Sequence, residues 1–350
     1  MIPLVKPLFP NLRAIEKHLA PAWKERQFSN FGPVFKKVTQ ALSSVMNGHA
    51  LPVTSGTTAI QVALTALGMR GKRVALPDYT HSGTLLAIIQ AGAIPVLFAV
   101  EESTWTLSID ELRANTSKYD AVIVVSPFGY FVNTDHWEAF SKETQKPIVY
   151  DFAGAFGFFP TTKNMRCYSF HSTKNFGVGE GGCVVTPTQE LWETCRRITN
   201  FETLPDRNVA SIDGINGKVD ELKCASILSM LEDDQLQKVW NRILNKRALL
   251  RFYGDSLRGS HVPIGPKKPS LCVLGELPAE EIERQGTNAG IVCKRYYPLL
   301  TRMPGLESAV EVVSESSDDM LNCVALPSDV TVGEAYRVVD FVKSVLKGFK

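Results

Sequence analysis

Three groups of residues in this 350-residue chain have types and spacings that do chemistry. The first is Lys174 in YSFHSTKNFGVGEGG, residues 168–182, where an amine stands among Tyr168, Phe170 and Phe176 and before glycines at 177, 179, 181 and 182. Aromatic walls strip water from an ammonium, favour the neutral amine and make it a nucleophile toward carbonyl carbon. A lone lysine is by itself most often structural. The second is Asp151, which closes the apolar run PIVYD and precedes FAGAFG. A carboxylate there is partly desolvated and wants a cationic partner, although capping the next turn is an equal reading for it taken alone. The third is TSGTTA, residues 54–59, just before a helical pattern. Its hydroxyls read as an N-cap, the commoner case, and a helix start with Gly56 beside it also offers unpaired N–H groups and a dipole to an anion.

Together the three are more specific than apart. A phosphate-ready helix start, an acid at a strand end and a lysine in a glycine-rich loop are the parts that hold pyridoxal 5'-phosphate. The lysine bonds the aldehyde, the carboxylate keeps the pyridine nitrogen protonated, and the helix terminus takes the phosphate.

Such residues must be carried by elements, and residues 52 to 200 supply them in alternation. TTAIQVALTALG puts Ile60, Ala63, Leu64 and Leu67 on one helical face. Strand-like VALP, IPVLFAV, AVIVVSP and PIVYD then alternate with helix-like SGTLLAIIQAG, IDELRA and TDHWEAFSKET. That rhythm predicts an α/β fold, a mostly parallel sheet covered by helices on both faces, with ligands beyond the carboxyl ends of its strands. From about residue 220 the pattern becomes long and helical through residue 257. LCVLG, VCKRYYP and CVALP follow as short strands, and EAYRVVDFVKSVLKG as a final helix. The expected organisation is a large cofactor-binding domain, 1–240, and a smaller C-terminal α+β domain, 241–350.

Composition narrows the class of function. The chain is 44% hydrophobic and 21% charged, as a well-packed soluble protein is. A net charge of +2 with no basic stripe argues against nucleic acid. Apolar runs of strand length argue against a membrane span, and MIPLVKPLFP does not read as a secretory leader. The cysteines at 167, 183, 195, 224, 272, 293 and 323 stand singly. That usage fits core thiols in a reducing cytoplasm rather than a zinc site.

The chain resembles the nucleotide-sugar aminotransferases of the DegT type, within the fold type I pyridoxal phosphate enzymes. The likeness runs through SGTTAIQVALTALG, LPDYTHSGTLLAIIQAGAIPVLFAV, YDFAGAFG, YSFHSTKNFGVGEGGCVVT, GINGKVDELKCA, GIVCKRYYPLL and VALPSD, roughly residues 30 to 330. It implies that Lys174 is the Schiff-base lysine and proton shuttle, that Ser169, Gly56 and Thr57 bind the cofactor phosphate, and that Asp151 meets the pyridine nitrogen. His81 in DYTHSG takes the place of the ring stacked on the cofactor, and Asn216 in GINGK that of an asparagine reaching the neighbouring subunit's cofactor phosphate. Homodimers with sites at the subunit interface are therefore expected. His171, close to Lys174, reads as structural.

Three sites depart from the family pattern. Gly154 stands where a Gln or His bonds the cofactor's ring hydroxyl, Lys218 where an Arg is usual, and Leu299–Leu300 where a leucine–histidine pair is usual. The implied activity is transfer of an amino group, from glutamate as the expected donor, to a nucleotide-linked keto-sugar, with pyridoxamine 5'-phosphate as the intermediate form of the cofactor. A cyclitol ketone is an alternative acceptor. A sugar dehydratase ranks lower because Lys174 is present, and a cofactor-binding regulatory or scaffolding protein without turnover is the reading from another class. Residues 30–33 and 294–298 are expected to wall the substrate site.

Overall fold

The computed structural model describes residues 1–202, 211–257, 269–306 and 308–348. Two helices, α1 (Leu12–Glu25) and α2 (Pro33–Met46), precede an alternating series. That series runs β1 (His49–Val53), α3 (Gly56–Ala66), β2 (Arg73–Pro77), α4 (Ser82–Gln90), β3 (Ile94–Phe98), α5 (Ile109–Ala114), β4 (Ala121–Val125), α6 (Thr134–Thr144) and β5 (Ile148–Asp151). A hairpin of β6 (Met165–Ser169) and β7 (Gly182–Thr186) follows, then α7 (Gln189–Ile198), α8 (Glu221–Leu231) and α9 (Asp233–Ser256). The rest comprises β8 (Cys272–Leu274), α10 (Ala279–Asn288), β9 (Lys294–Arg295), β10 (Glu311–Val312), β11 (Val324–Leu326) and α11 (Val332–Gly348).

The large sheet has the order β1-β7-β6-β5-β4-β2-β3-β10. Its strands pair in parallel except β7, which is antiparallel to both β1 and β6. Residues of β4, β5 and β6 are buried on both faces, as a helix-covered sheet requires. The expected α/β architecture is thus present, with one reversed strand that the glycine-rich loop makes possible. A smaller sheet, β8-β11-β9, is antiparallel throughout and carries its own apolar core with α10 and α11.

Several local expectations shift for physical reasons. The helical stretch from 220 is two helices, because Glu232 adopts extended backbone (φ −62°, ψ 143°) between α8 and α9. AVIVVSP stops pairing at Val125, where Ser126 and Pro127 turn the chain; proline has no N–H for a ladder. Only Lys294–Arg295 of VCKRYYP pairs as strand. Chain order and spatial grouping also differ: β10 pairs with β3 in the large sheet, and Ile2 bridges to Ile291 in the smaller unit's core. Ser55 Oγ accepts from Thr58 N to cap α3, and Glu221 caps α2 from a distance, accepting from Gly32 N at 3.1 Å and Val34 N at 2.6 Å.

Candidate active site

A cleft of about 710 Å³ opens at the carboxyl ends of the parallel strands, where a sheet of this kind presents its loops. Gly56 and Thr57 follow β1, His81 follows β2, Asp151 ends β5, Ser169 ends β6 and Lys174 follows it; all six line this cleft. They gather at the ends of four separate strands.

Lys174 sits at the tip of the β6–β7 connection. Ser172 N donates to the Gly179 carbonyl at 2.7 Å and Lys174 N to the His171 carbonyl at 2.9 Å, folding the loop back on itself. A side chain at Gly177 would lie 2.9 Å from the His171 oxygen and from Ser172, so only glycine closes that turn. Phe176 stacks on Phe156 at 4.3 Å and 16°. The lysine side chain is partly exposed, and among the described residues no hydrogen bond or ion pair holds its Nζ. Burial lowers its pKa, and the negative charge of Asp151 opposes that shift. The amine is thereby biased toward its neutral, nucleophilic form.

Asp151 is 5% exposed. Its Oδ2 accepts from Thr84 Oγ1 at 2.7 Å and its Oδ1 from Ala153 N at 3.0 Å. Among the described residues no cation lies within ion-pair distance of it. A buried carboxylate held by two neutral donors lacks a counter-charge, which costs several kcal/mol unless a cation arrives. Thr84 is a partner that sequence reasoning missed; its only signal was a hydroxyl inside the otherwise apolar SGTLLAIIQ.

The opposite end suits an anion. A side chain at Gly56 would meet Ser169 Cβ at 2.9 Å, and one at Gly182 would meet the Ser55 carbonyl at 2.4 Å. Both glycines therefore allow the start of α3 to lie against the β6–β7 hairpin, and the Ser169 hydroxyl, which also accepts from His171 N at 3.3 Å, stands beside that helix terminus. Thr57 Oγ1 lies near Gly83 at the start of α4. His81 caps α4, its Nδ1 accepting from Gly83 N at 2.9 Å. Its ring meets Tyr297 edge-on at 5.8 Å, and Tyr297 stacks on Phe128 at 5.4 Å. Burial, then the nearby Lys174 charge, lowers the His81 pKa, with Asp151 opposing. The unpaired buried acid, the partner-free amine and the glycine-cleared helix terminus fit pyridoxal phosphate in charge and in order.

Other candidates fall elsewhere. Asn216 is exposed and outside this cleft, on a segment whose Gly217 carbonyl accepts from Thr54 N at 3.2 Å. Lys218 lies over the Phe201 ring at 4.4 Å. Leu299 and Leu300 are both 1% exposed, so that departure from the family pattern is a matter of packing. Residues 30–33 do not line the chain's own cleft, and Gly32 N among them donates to Glu221 instead; Lys294, Tyr296 and Tyr297 do line it. Gly154 lines it too, but a side chain there would lie 2.9 Å from Gly129 N and 3.1 Å from Gly129 Cα. The place of the usual Gln or His is taken by backbone.

Comparison with known proteins gives the family and the fold. Residues 13–343 match the profile of the DegT/DnrJ/EryC1/StrS aminotransferase family. Over 99% of its length the chain is 30% identical to the whole of a dTDP-4-amino-4,6-dideoxy-D-glucose transaminase of Shigella dysenteriae. Protein Rv3402c of Mycobacterium tuberculosis is 27% identical over 75% of the chain, which spans 66% of that relative's length. Among solved structures, the sugar aminotransferase CalS13 of Micromonospora echinospora superposes with a TM-score of 0.84 at 22% identity, covering 98% of this chain and 100% of the other. That likeness establishes a fold shared with a sugar aminotransferase. Among the described residues, no helix is long and apolar enough to cross a membrane and no cluster of side chains suits a metal ion.

Proposed function

The chain belongs to the DegT/DnrJ/EryC1/StrS aminotransferase family, and from that membership we propose that it is a pyridoxal phosphate-dependent enzyme moving an amino group from an amino acid, with glutamate expected, to a nucleotide-linked keto-sugar. The observation that carries this reading is Asp151, a buried carboxylate with no cation in ion-pair reach among the described residues, facing the same cleft as Lys174, whose amine has no hydrogen bond or ion pair among them. When bound, the cofactor supplies an electron sink for charge left on carbon.

The chain's own residues do the rest. Asp151, fixed by Thr84 and Ala153, holds a proton at the ring nitrogen. Ser169, Gly56 and Thr57 bind the phosphate at the start of α3. The lowered pKa of Lys174 readies it to take a proton from the substrate carbon and return it to the neighbouring atom. His81 and Tyr297 cover the ring and limit water. Asn216, outside its own cleft, is proposed to serve the cleft of a second copy, so mixing Lys174→Ala with Asn216→Ala chains should restore activity that neither has alone. Absence of any such gain would remove Asn216 from that role. The 1–240 and 241–350 division is retained as a proposal on the strength of the separate antiparallel sheet β8-β11-β9, although the apolar cluster around that sheet also takes in Tyr79, Val100, Trp105, Phe128 and Tyr130.

The decisive experiment is optical. The purified chain with pyridoxal phosphate should show a band near the visible edge that borohydride fixes covalently to Lys174, and Lys174→Ala should lose it. A fixed adduct surviving in that variant refutes the assignment. Gly154 favours one competing reading, a cofactor-binding protein without turnover. Failure of every common amino donor to convert the bound cofactor to its amine form would select it.

A further inference from the structure

A buried ammonium is tied to the turn that carries Lys174. Lys246, on α9, is wholly buried, and its Nζ has three acceptors on three separate segments. They are Asn175 Oδ1 at 3.0 Å, the Ser270 carbonyl at 2.9 Å and Asp329 Oδ2 at 3.4 Å. Asn175 follows Lys174 in the chain, is itself 1% exposed, and donates to the Pro269 carbonyl at 3.4 Å. Ser270 lines the cleft and donates its N–H to the Phe128 carbonyl at 2.8 Å.

Asp329 does not need Lys246. Arg242 takes both its oxygens, at 2.8 and 2.5 Å, and Lys6 N–H adds a bond at 3.2 Å. The cluster therefore buries one positive charge in excess, and desolvation pulls the Lys246 pKa down to about 8. An apolar side chain of the same length would avoid that cost. What an ammonium adds is a single point that binds two neutral oxygens, one on the Lys174 turn and one on the Ser270 segment that holds the Phe128–Gly129 backbone.

Resting on the reading of Lys174 above, we propose that Lys246 is a positioning residue: through Asn175 and Ser270 it fixes the Lys174 turn against the Phe128–Gly129 wall and so sets where the amine stands in the cleft. It touches neither substrate nor cofactor. Its effect is on geometry alone.

The test uses the full chain reconstituted with pyridoxal phosphate. The donor half-reaction is followed in single turnovers, and the visible circular dichroism of the bound cofactor reports its orientation without turnover. Lys246→Met and Asn175→Ala should each slow the half-reaction about 10- to 100-fold, the scale of a misplacement of about 1 Å. Both should weaken the dichroism and leave the half-saturating donor concentration largely unchanged. The double variant should be no slower than the slower single one, because both cut the same tie. Tyr253→Phe, which removes a buried hydrogen bond to the Pro327 carbonyl elsewhere on α9, should lose stability and keep the wild-type rate.

Wild-type rate and dichroism in Asn175→Ala overturn the proposal. So do losses that multiply in the double variant, or equal slowing by Tyr253→Phe. Should Lys246→Met fail to fold, Asn175→Ala cuts the tie from its other end and decides the matter. The two possible failures are distinct: a band that persists in Lys174→Ala refutes the lysine's role, whereas loss of that band with unaltered Asn175→Ala refutes positioning alone.

Discussion

Replacing Gly154 tests whether its departure from the family pattern is an open vacancy or a filled one. In Gly154→Ala the new Cβ would stand 2.9 Å from Gly129 N and 3.1 Å from Gly129 Cα. Both neighbours are backbone, which does not swing aside as the tip of a side chain does. Their turn is held by Gly129 N donating to the Ser126 carbonyl at 3.2 Å, Tyr130 N to Pro127 at 2.8 Å and Ser270 N to Phe128 at 2.8 Å. Overpacking of this kind costs about 1–3 kcal/mol. The reciprocal change, Gly129→Ala, should cost more, since its Cβ would meet the Gly154 carbonyl at 2.4 Å and Ser270 Cβ at 2.8 Å. Its φ of +79° adds about 1–2 kcal/mol for left-handed backbone, making roughly 2–5 kcal/mol in all. Urea unfolding at fixed temperature, read as midpoint and slope, should rank wild type above Gly154→Ala and that above Gly129→Ala. Gly154→Gln, although it restores the family's usual residue, should destabilise the chain and leave cofactor affinity no tighter. A Gly154→Ala variant within about 0.5 kcal/mol of wild type, the ordinary range for harmless changes, would show that the Gly129 backbone does not fill this place. So would a Gly154→Gln variant that binds cofactor more tightly at unchanged stability.

Three further outcomes are expected. Asp151→Asn keeps the Thr84 contact but not the charge, and should slow the donor half-reaction about 10²–10³-fold, the usual scale for a lost preorganised electrostatic partner; stopped-flow absorbance checks it, and a loss under tenfold removes Asp151 from its role. Lys174 has a folded-state pKa below the ordinary lysine value, so between the two values the unfolded chain binds the extra proton and the stability of cofactor-free protein rises with pH. Lys174→Met should flatten that rise and exceed wild type at neutral pH, and a lower urea midpoint for the variant at about pH 7 would mean that the buried amine does not destabilise the cofactor-free chain. His81 separates two roles: His81→Asn retains an N-cap acceptor and should hold stability while weakening cofactor binding. His81→Phe keeps a ring but loses the bond from Gly83 N and should cost about 1 kcal/mol; equal stability in the two variants would discount the cap.

Much of the site was legible in the sequence because its signals are local. Lys174 among aromatics and glycines, Asp151 at the end of PIVYD and the hydroxyls before α3 depend on residues a few positions away, as do helix periodicity and strand runs. The alternation from 52 to 151 accordingly predicted β2 to β5 and α3 to α6, but not the other four strands of the large sheet. Resemblance, not periodicity, supplied His81, Ser169 and Asn216. The N-terminal helices and the β6–β7 hairpin went unread, although α2 buries Val34, Phe35, Val38, Leu42 and Met46 at helical spacing.

Tertiary structure decided the rest. Residue types alone predicted an acid and an amine, but whether Asp151 already had a cation depended on which side chains the fold brings beside it. Thr84 comes from a helix far away in sequence, and no described residue brings a cation within reach. Gly154 looked like a missing side chain until Gly129 filled its place. The pairing of β10 with β3, and of Lys246 with Asn175, likewise joins segments that no local window contains. The physical reason is the same in each case: local propensity is set by neighbours along the chain, whereas burial, charge balance and close backbone approach are set by neighbours in space.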